Sequence, residues 1–328
     1  MSWLRAFGRF FEQKIGLHRL GIVLSLIIIA IAAVVLYRKL HNINVGKVLT
    51  AMATVEYRDV AISALFVAAG YFTLTFYDLF ALRTIGRKDI PYRIAALGGF
   101  TSYSVGHNVG ASVFTGGAVR YRIYSGWGLD AIEVAKICFI AGLTFWLGNI
   151  TVLGFGFAYH PQAASDIDQL PLWLNRLLGI AALLTLIGYI TWVWRTPRVI
   201  GRQNWQVRLP HGPLTLLQIF SGIVDLSCCA MAMYVLVPNE PHMQFIDIAV
   251  IFITATLLGF ASHSPGGLGV FDAAMLIALW EFDAEELLAG LLIFRLLYYI
   301  LPFTMALAVL GIREFMLHFA GRRDVGGR

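Results

Sequence analysis

The chain has 328 residues, 59% of them apolar and only 13% charged, with a net charge of +6 and a mean hydropathy of +0.74. Soluble domains run at about 45–50% apolar and about 25% charged, so the composition excludes a soluble globular protein and indicates a polytopic membrane protein. The positive balance does not point to nucleic acid, because the basic residues cluster in loops that flank apolar runs.

In chain order, a basic leader (Arg5, Arg9, Lys14, Arg19) precedes the apolar run Leu20 to Leu36. No small-residue cleavage site follows and the run ends in YRKL, which favours an uncleaved first span over a signal peptide. A helix needs about 20 apolar residues to cross the hydrocarbon. Spans are predicted over about 20–36, 60–82, 131–158, 172–194, 214–237 and 287–310. Two other regions, 94–119 and 246–280, are apolar but broken by glycine and polar residues.

The Lys/Arg distribution orients these spans. With both termini in the cytoplasm, 18 of the 25 basic residues fall in cytoplasmic segments, among them Arg83 to Arg93, Arg120 and Arg122. The reverse orientation would put all of these outside. Each broken region must then enter and leave on one face, 94–119 from inside and 246–280 from outside. The alternative, two short complete spans in each, needs more residues than the first region has. The predicted fold is all-α: six full transmembrane helices and two oppositely oriented re-entrant helical hairpins, in the pattern of an inverted repeat.

The first hairpin is expected to turn at Gly106 to Gly110, with Gly116 and Gly117 as further turn glycines. The second is expected to turn at His263 to Gly267, through Pro265, Gly266 and Gly267. Broken backbone at membrane depth is tolerated only inside protein or beside a wet cavity, so both tips are expected within the bundle.

Ionisable residues inside spans carry the functional argument, because each costs a few kcal/mol. Arg295 lies in the last span, beside Tyr298 and Tyr299, and Pro302 is expected to kink that helix. It needs an anionic partner, with Asp225 and Asp272 as candidates. A structural ion pair and a bidentate fork for a lipid phosphate both fit a guanidinium. Asp272 follows the PGGLG turn, where it would cap the next half-helix or meet a ligand. Asp78 precedes Arg83 by five residues, and a pair with Arg83 or Arg122 is its ordinary reading. Arg120 and Arg122 in RYRIYSGWGL suit interface anchoring and anionic headgroups equally. His107 and His263 stand at the two tips. Two histidines without a third ligand do not make a metal site. Cys138, Cys228 and Cys229 fall in apolar runs with no disulfide or metal spacing. No phosphate loop, metalloprotease motif or nucleophile elbow occurs, so no cofactor, metal or catalytic residue is expected.

YDLFALR (77–83), GHNVGASVFTGGAVRYRIYSGWGL (106–129), HSPGGLGVFDA (263–273) and FRLLYYILPF (294–303) resemble the flippase-type transmembrane domain of bacterial lysylphosphatidylglycerol synthases. They are more similar still to its stand-alone inner-membrane relatives of the YbhN type. The resemblance covers about residues 20 to 312. It implies an inner-membrane protein that moves a phospholipid, aminoacylated or anionic, between leaflets. It implies no aminoacyl transfer, because the sequence ends without the synthase domain. The residues at the family's motif positions are Gly116, Gly117, Arg120, Arg122, Pro265, Gly266, Gly267 and Asp272. The hypothetical headgroup contacts are Arg295, Asp225, Asp272, Arg120, Arg122, Asp78, His107, His263, Tyr298 and Tyr299. The expected partner is membrane phospholipid. A membrane scaffold for a lipid-synthesis enzyme is the alternative, and an intramembrane enzyme ranks third.

Overall fold

The computed structural model describes residues 29–34, 37, 41, 43–110, 112–196, 198–202 and 205–325. The first predicted span lies largely outside them; its residues 29–34 are helical. Short helix α1 (Val45–Thr54) leads to α2 (Tyr57–Thr84). Helices α3 (Tyr92–Val109) and α4 (Ser112–Tyr124) form the first hairpin. Helix α5 (Ala131–Tyr159), short α6 (Pro161–Asp168) and α7 (Leu172–Trp194) follow. A two-stranded antiparallel ribbon, β1 (Val199–Arg202) and β2 (Trp205–Arg208), leads to α8 (Gly212–Tyr234). Helices α9 (Phe245–Ala261) and α10 (Val270–Ala278) form the second hairpin. Helix α11 (Ala284–Arg295) runs through one π-helical turn, Leu296–Ile300, into α12 (Leu301–Val325). Helices α2, α5, α7, α8 and the stretch Ala284–Leu317 are each long and apolar enough to cross a membrane.

Local chemistry sets several boundaries. Asp130 and Glu133 cap α5 reciprocally: the Glu133 N–H donates to Asp130 Oδ1 at 2.7 Å, and the Asp130 N–H donates to Glu133 Oε2 at 3.2 Å. The side chain of Asp283 caps α11. Gly110 ends α3 with φ 81° and ψ 178°, a conformation essentially restricted to glycine. At the turn between α2 and α3, the Arg87 fork binds Asp89 and holds its carboxyl below the usual carboxylate range. Arg87 Nη2 also donates to the Trp127 carbonyl at 2.6 Å, which ties both ends of the first hairpin to one loop.

The hairpins are rooted at opposite ends of the bundle. Helices α2 and α8 are antiparallel, since Ser63 near the start of α2 donates to the Ala232 carbonyl near the end of α8 at 2.9 Å. Leu82 at the end of α2 shares an apolar cluster with Ile90 and Ile123 of the first hairpin, Val134 at the start of α5, and Val207 of the ribbon. The second hairpin starts at the other end: Phe245 packs edge-on against Tyr234, and Asp247 meets His160 just past α5. The order span, hairpin, span therefore occurs twice with reversed direction, as α2, α3–α4, α5 and as α8, α9–α10, α11–α12. Helices α5 and α8 cross in near backbone contact, where a methyl group on Gly148 would lie 2.7 Å from Gly222 Cα. Such close approach through small residues drives helix association where lipid offers no hydrophobic contrast.

Several expectations need correction. The first hairpin extends to Tyr124 and not to 119, so Arg120 and Arg122 lie on helix α4, not in a loop. Gly116 and Gly117 lie inside α4, and the turn is at Gly110. The stretch 287–310 lies within one membrane-length stretch, Ala284–Leu317, and the break expected at Pro302 takes the form of the π turn just before it.

Candidate functional site

The two hairpin tips meet inside the bundle. A methyl group on Gly110 would lie 3.4 Å from Pro265 Cα, and one on Gly266 would lie 3.7 Å from the His107 carbonyl. The π turn lies against both tips. Pro302 has no N–H to donate, so the Tyr298 carbonyl four residues earlier loses its helical partner. The Tyr71 hydroxyl of α2 donates to that carbonyl at 3.0 Å. Asn108 Nδ2, at the first tip, donates to the Tyr299 carbonyl at 3.0 Å.

Two buried arginine–aspartate pairs flank this junction. On the first hairpin, Arg120 donates to Asp78 of α2 through Nε, at 3.1 and 3.0 Å, and through Nη2, at 2.7 Å. Asp78 has no exposed surface, and its Oδ2 also accepts from the Tyr124 hydroxyl at 2.7 Å. Gly98 makes this possible, because any side chain there would collide with that hydroxyl. The expected partners of Asp78, Arg83 and Arg122, are replaced by Arg120. Arg122 is exposed and pairs with Glu314 of α12.

On the second hairpin, Arg295 takes Asp272 as a bidentate fork, Nε to Oδ1 at 2.9 Å and Nη2 to Oδ2 at 2.7 Å. Its Nη1 donates to the Gly266 carbonyl at 3.0 Å. The Gly269 N–H donates to Asp272 Oδ2 at 3.0 Å, so Asp272 both caps α10 and binds the arginine. Of the two candidate partners for Arg295, the structure selects Asp272.

An aromatic chain connects the pairs. The Arg120 guanidinium lies 4.9 Å above the Tyr103 ring. Tyr103 contacts His107, His107 stacks on Tyr298, Tyr298 stacks on Phe294, and Phe294 stacks on Phe271. Arg295 closes the chain 5.6 Å above Phe271 and 5.5 Å above Tyr299. His107 Nδ1 is buried with no hydrogen-bond partner among the described residues. His263 does not join it: that side chain is exposed, and its Nδ1 lies 3.0 Å from the Ala261 carbonyl. Asp225 lies apart from both arginines, with Tyr77 donating to its Oδ2 at 3.0 Å. The structure thus gathers Asp78 with Arg120, Asp272 with Arg295, and His107 with Tyr298 and Tyr299, and leaves Arg122 and His263 outside.

Tyr71, Tyr77, Tyr103, Tyr124 and Asn108 belong to the same network, although none of them was among the headgroup contacts expected from the sequence. The available signal was the hydroxyl itself, since a tyrosine buried mid-span must find a partner.

Two apolar cavities flank the first hairpin. One, of about 500 Å³, lies between α2, α3 and the π turn and is lined by Tyr71, Phe72, Phe100, Leu297 and Met305, with Arg93 in its wall. The other, of about 800 Å³, lies between α4 and α5 and is lined by Phe114, Tyr121, Phe139 and Trp146. Among the described residues, no group of three or more His, Cys, Asp or Glu is placed to hold a metal ion.

Apolar helices long enough to cross a membrane, enclosing two opposed hairpins with buried ion pairs, define a multi-pass integral membrane protein. The chain belongs to the family described as lysylphosphatidylglycerol synthase TM region, whose profile matches residues 22–306. It is 30% identical to the Synechocystis protein slr0712 over 96% of this chain and 97% of that one. It is 28% identical to the inner membrane protein YbhN of Escherichia coli over 74% of this chain and 76% of that one. A phosphatidylglycerol lysyltransferase of Staphylococcus aureus is 25% identical over 86% of this chain, which corresponds to 32% of the larger protein.

Proposed function

We propose that the protein is an inner-membrane phospholipid translocator, with both termini in the cytoplasm, that moves a glycerophospholipid between leaflets without covalent chemistry. The observation that carries this reading is the junction at Tyr71. This residue lines the apolar cavity that holds Arg93, and its hydroxyl reaches the π turn where the hairpin tips meet. A lipid with its acyl chains against Phe72, Leu297 and Met305 would have its headgroup beside Arg93 at one end of its path and beside the tips at the middle. Arg93 is exposed and makes no ion pair among the described residues, so it is free to receive a phosphate. Arg120 and Arg295 hold aspartates, and a phosphate would compete for the same forks. Membership of a family that includes a phosphatidylglycerol lysyltransferase supports a lipid substrate.

The test is lipid movement in liposomes containing the purified protein, read by quenching of headgroup-labelled phospholipids from outside. Protein should raise the accessible fraction well above that of empty liposomes, and Arg93→Ala and Arg295→Ala should slow the change. Equal kinetics with and without protein across zwitterionic, anionic and aminoacylated lipids would sink the proposal. A scaffold for a lipid-synthesis enzyme is the second reading, favoured by the S. aureus relative, in which the matched region is a third of a larger lysyltransferase. It predicts an enzyme that co-purifies stoichiometrically and is lost on substitution of exposed loop residues.

A further inference from the structure

We propose that Asp225 is a proton-carrying site that couples lipid movement to the proton gradient; the coupling rests on the translocator reading, whereas the proton site does not. Of the three aspartates buried among the described residues, Asp78 and Asp272 each hold an arginine. Asp225 is 4% exposed, and among the described residues no Lys, Arg or His lies within ion-pair distance. Its contacts are the Tyr77 hydroxyl at 3.0 Å and a long approach from Cys229 Sγ at 3.8 Å. An ionised carboxylate at membrane depth needs a cation or several donors, and one hydroxyl is neither. This arrangement therefore accommodates the neutral acid.

The groups around it allow a change of charge to be felt. From α2, Tyr71 and Tyr77 face it, and Gly70 brings the helix close, with room for only a methyl group 3.6 Å from Oδ1. From α3, Tyr103 faces it, with His107 one turn further; from the π turn, Tyr298 does; from its own helix, Cys228 and Cys229 do. Helix α5 meets this part of α8 through Thr144 and Gly148, neither of which titrates. Helix α9 carries no titratable residue between Asp247 and Ser262. Arg120 and Arg295 lie apart from it and are held by their own aspartates.

Tyr77 is the link to the first hairpin. It precedes Asp78 in sequence and packs edge-on against Tyr103, whose ring carries the Arg120 guanidinium. Loss of the proton from Asp225 puts a charge behind Tyr77 and Tyr103, the ring beneath the Arg120 guanidinium, and so perturbs the pair that Arg120 makes with Asp78. That loosens the first hairpin at the tip junction, and uptake of a proton restores the pair. The cycle moves one proton on and off a carboxyl oxygen and needs no redox partner.

Two measurements decide it. Infrared difference spectra of the purified protein in lipid should show a protonated-carboxyl C=O band that titrates with pH and disappears in Asp225→Asn. Tyr77→Phe, which keeps the carboxyl and removes its donor, should retain the band with a displaced midpoint. In liposomes, an imposed pH gradient should change the rate of phospholipid movement several-fold, with matching proton flux on a luminal dye, and Asp225→Asn should lose that response. Lipid movement that ignores the pH gradient, in protein with no titrating band, overturns the inference. So does a response to a sodium gradient in place of a proton gradient. A titrating band at Asp225 in protein that moves no lipid confirms the proton site and removes the translocator reading instead.

Discussion

Arg295 and Asp272 are both almost fully buried, and each completes the other's hydrogen bonding. Removing one partner of such a pair strands a charge and costs about 3–5 kcal/mol, whereas removing both is far milder. Arg295→Ala should therefore lower the unfolding free energy in detergent by about 3–5 kcal/mol. The double variant with Asp272→Ala should lose less than the sum of the two single losses, and additive losses would show that the two side chains are not coupled. Tyr124→Phe should cost less, about 1–3 kcal/mol, because it removes one donor from Asp78 and leaves Arg120 in place. Charged residues within apolar runs were legible in the sequence as candidate site residues, because hydrocarbon penalises each one. Their pairing was not, because pairing depends on helix depth and rotation. Asp78 passes over Arg83 on its own helix and takes Arg120 from the hairpin, which only the packing of that hairpin on α2 could reveal.

The π turn turns a covalent fact about proline into a contact between elements. Restoring an N–H at position 302 would let the helix reclaim the Tyr298 carbonyl from Tyr71. Pro302→Ala should therefore make Tyr71→Phe nearly silent, whereas in the wild-type background that substitution should cost about 1 kcal/mol. Lipid movement should slow as well, because the carbonyls that face the tips return to an ordinary helix. Undiminished movement in Pro302→Ala would separate the π turn from function. Gly110→Ala makes a related demand on the first tip. It forces a side chain into a backbone region that costs about 1–3 kcal/mol, against Pro265 of the second tip. Thermal unfolding should fall accordingly, and an unchanged midpoint would mean that the tips do not meet. Both hairpins and the proline break were readable from glycine, proline and charge. The place of Gly116 and Gly117 inside α4 was not, because glycine serves close helix packing as readily as it serves turns. The ribbon Val199–Arg202 with Trp205–Arg208 was hidden in a basic loop too short to show a strand period.

At the scale of the whole molecule, the repeated order of span, hairpin and span gives two halves whose hairpins are rooted at opposite ends and meet at their tips. That arrangement gathers polar backbone and ion pairs inside the bundle, where the tips meet. It also ties topology to charge. The basic turn holding Arg87 and Lys88 and the ribbon before α8 share one end of the bundle, whereas the loops after α5 and α8 share the other. Cysteine labelling can check this in a background with Cys138, Cys228 and Cys229 replaced. Gln162→Cys and Asn239→Cys should react with an impermeant maleimide added to intact spheroplasts. Lys88→Cys and His211→Cys should react only after permeabilisation. All four positions are exposed in the structure, so a silent site reports sidedness and not burial. If Lys88→Cys were labelled in intact spheroplasts together with Asn239→Cys, the roots of the two hairpins would lie on one face. The two halves would then no longer be inverted, and a headgroup could not pass between opposed tips.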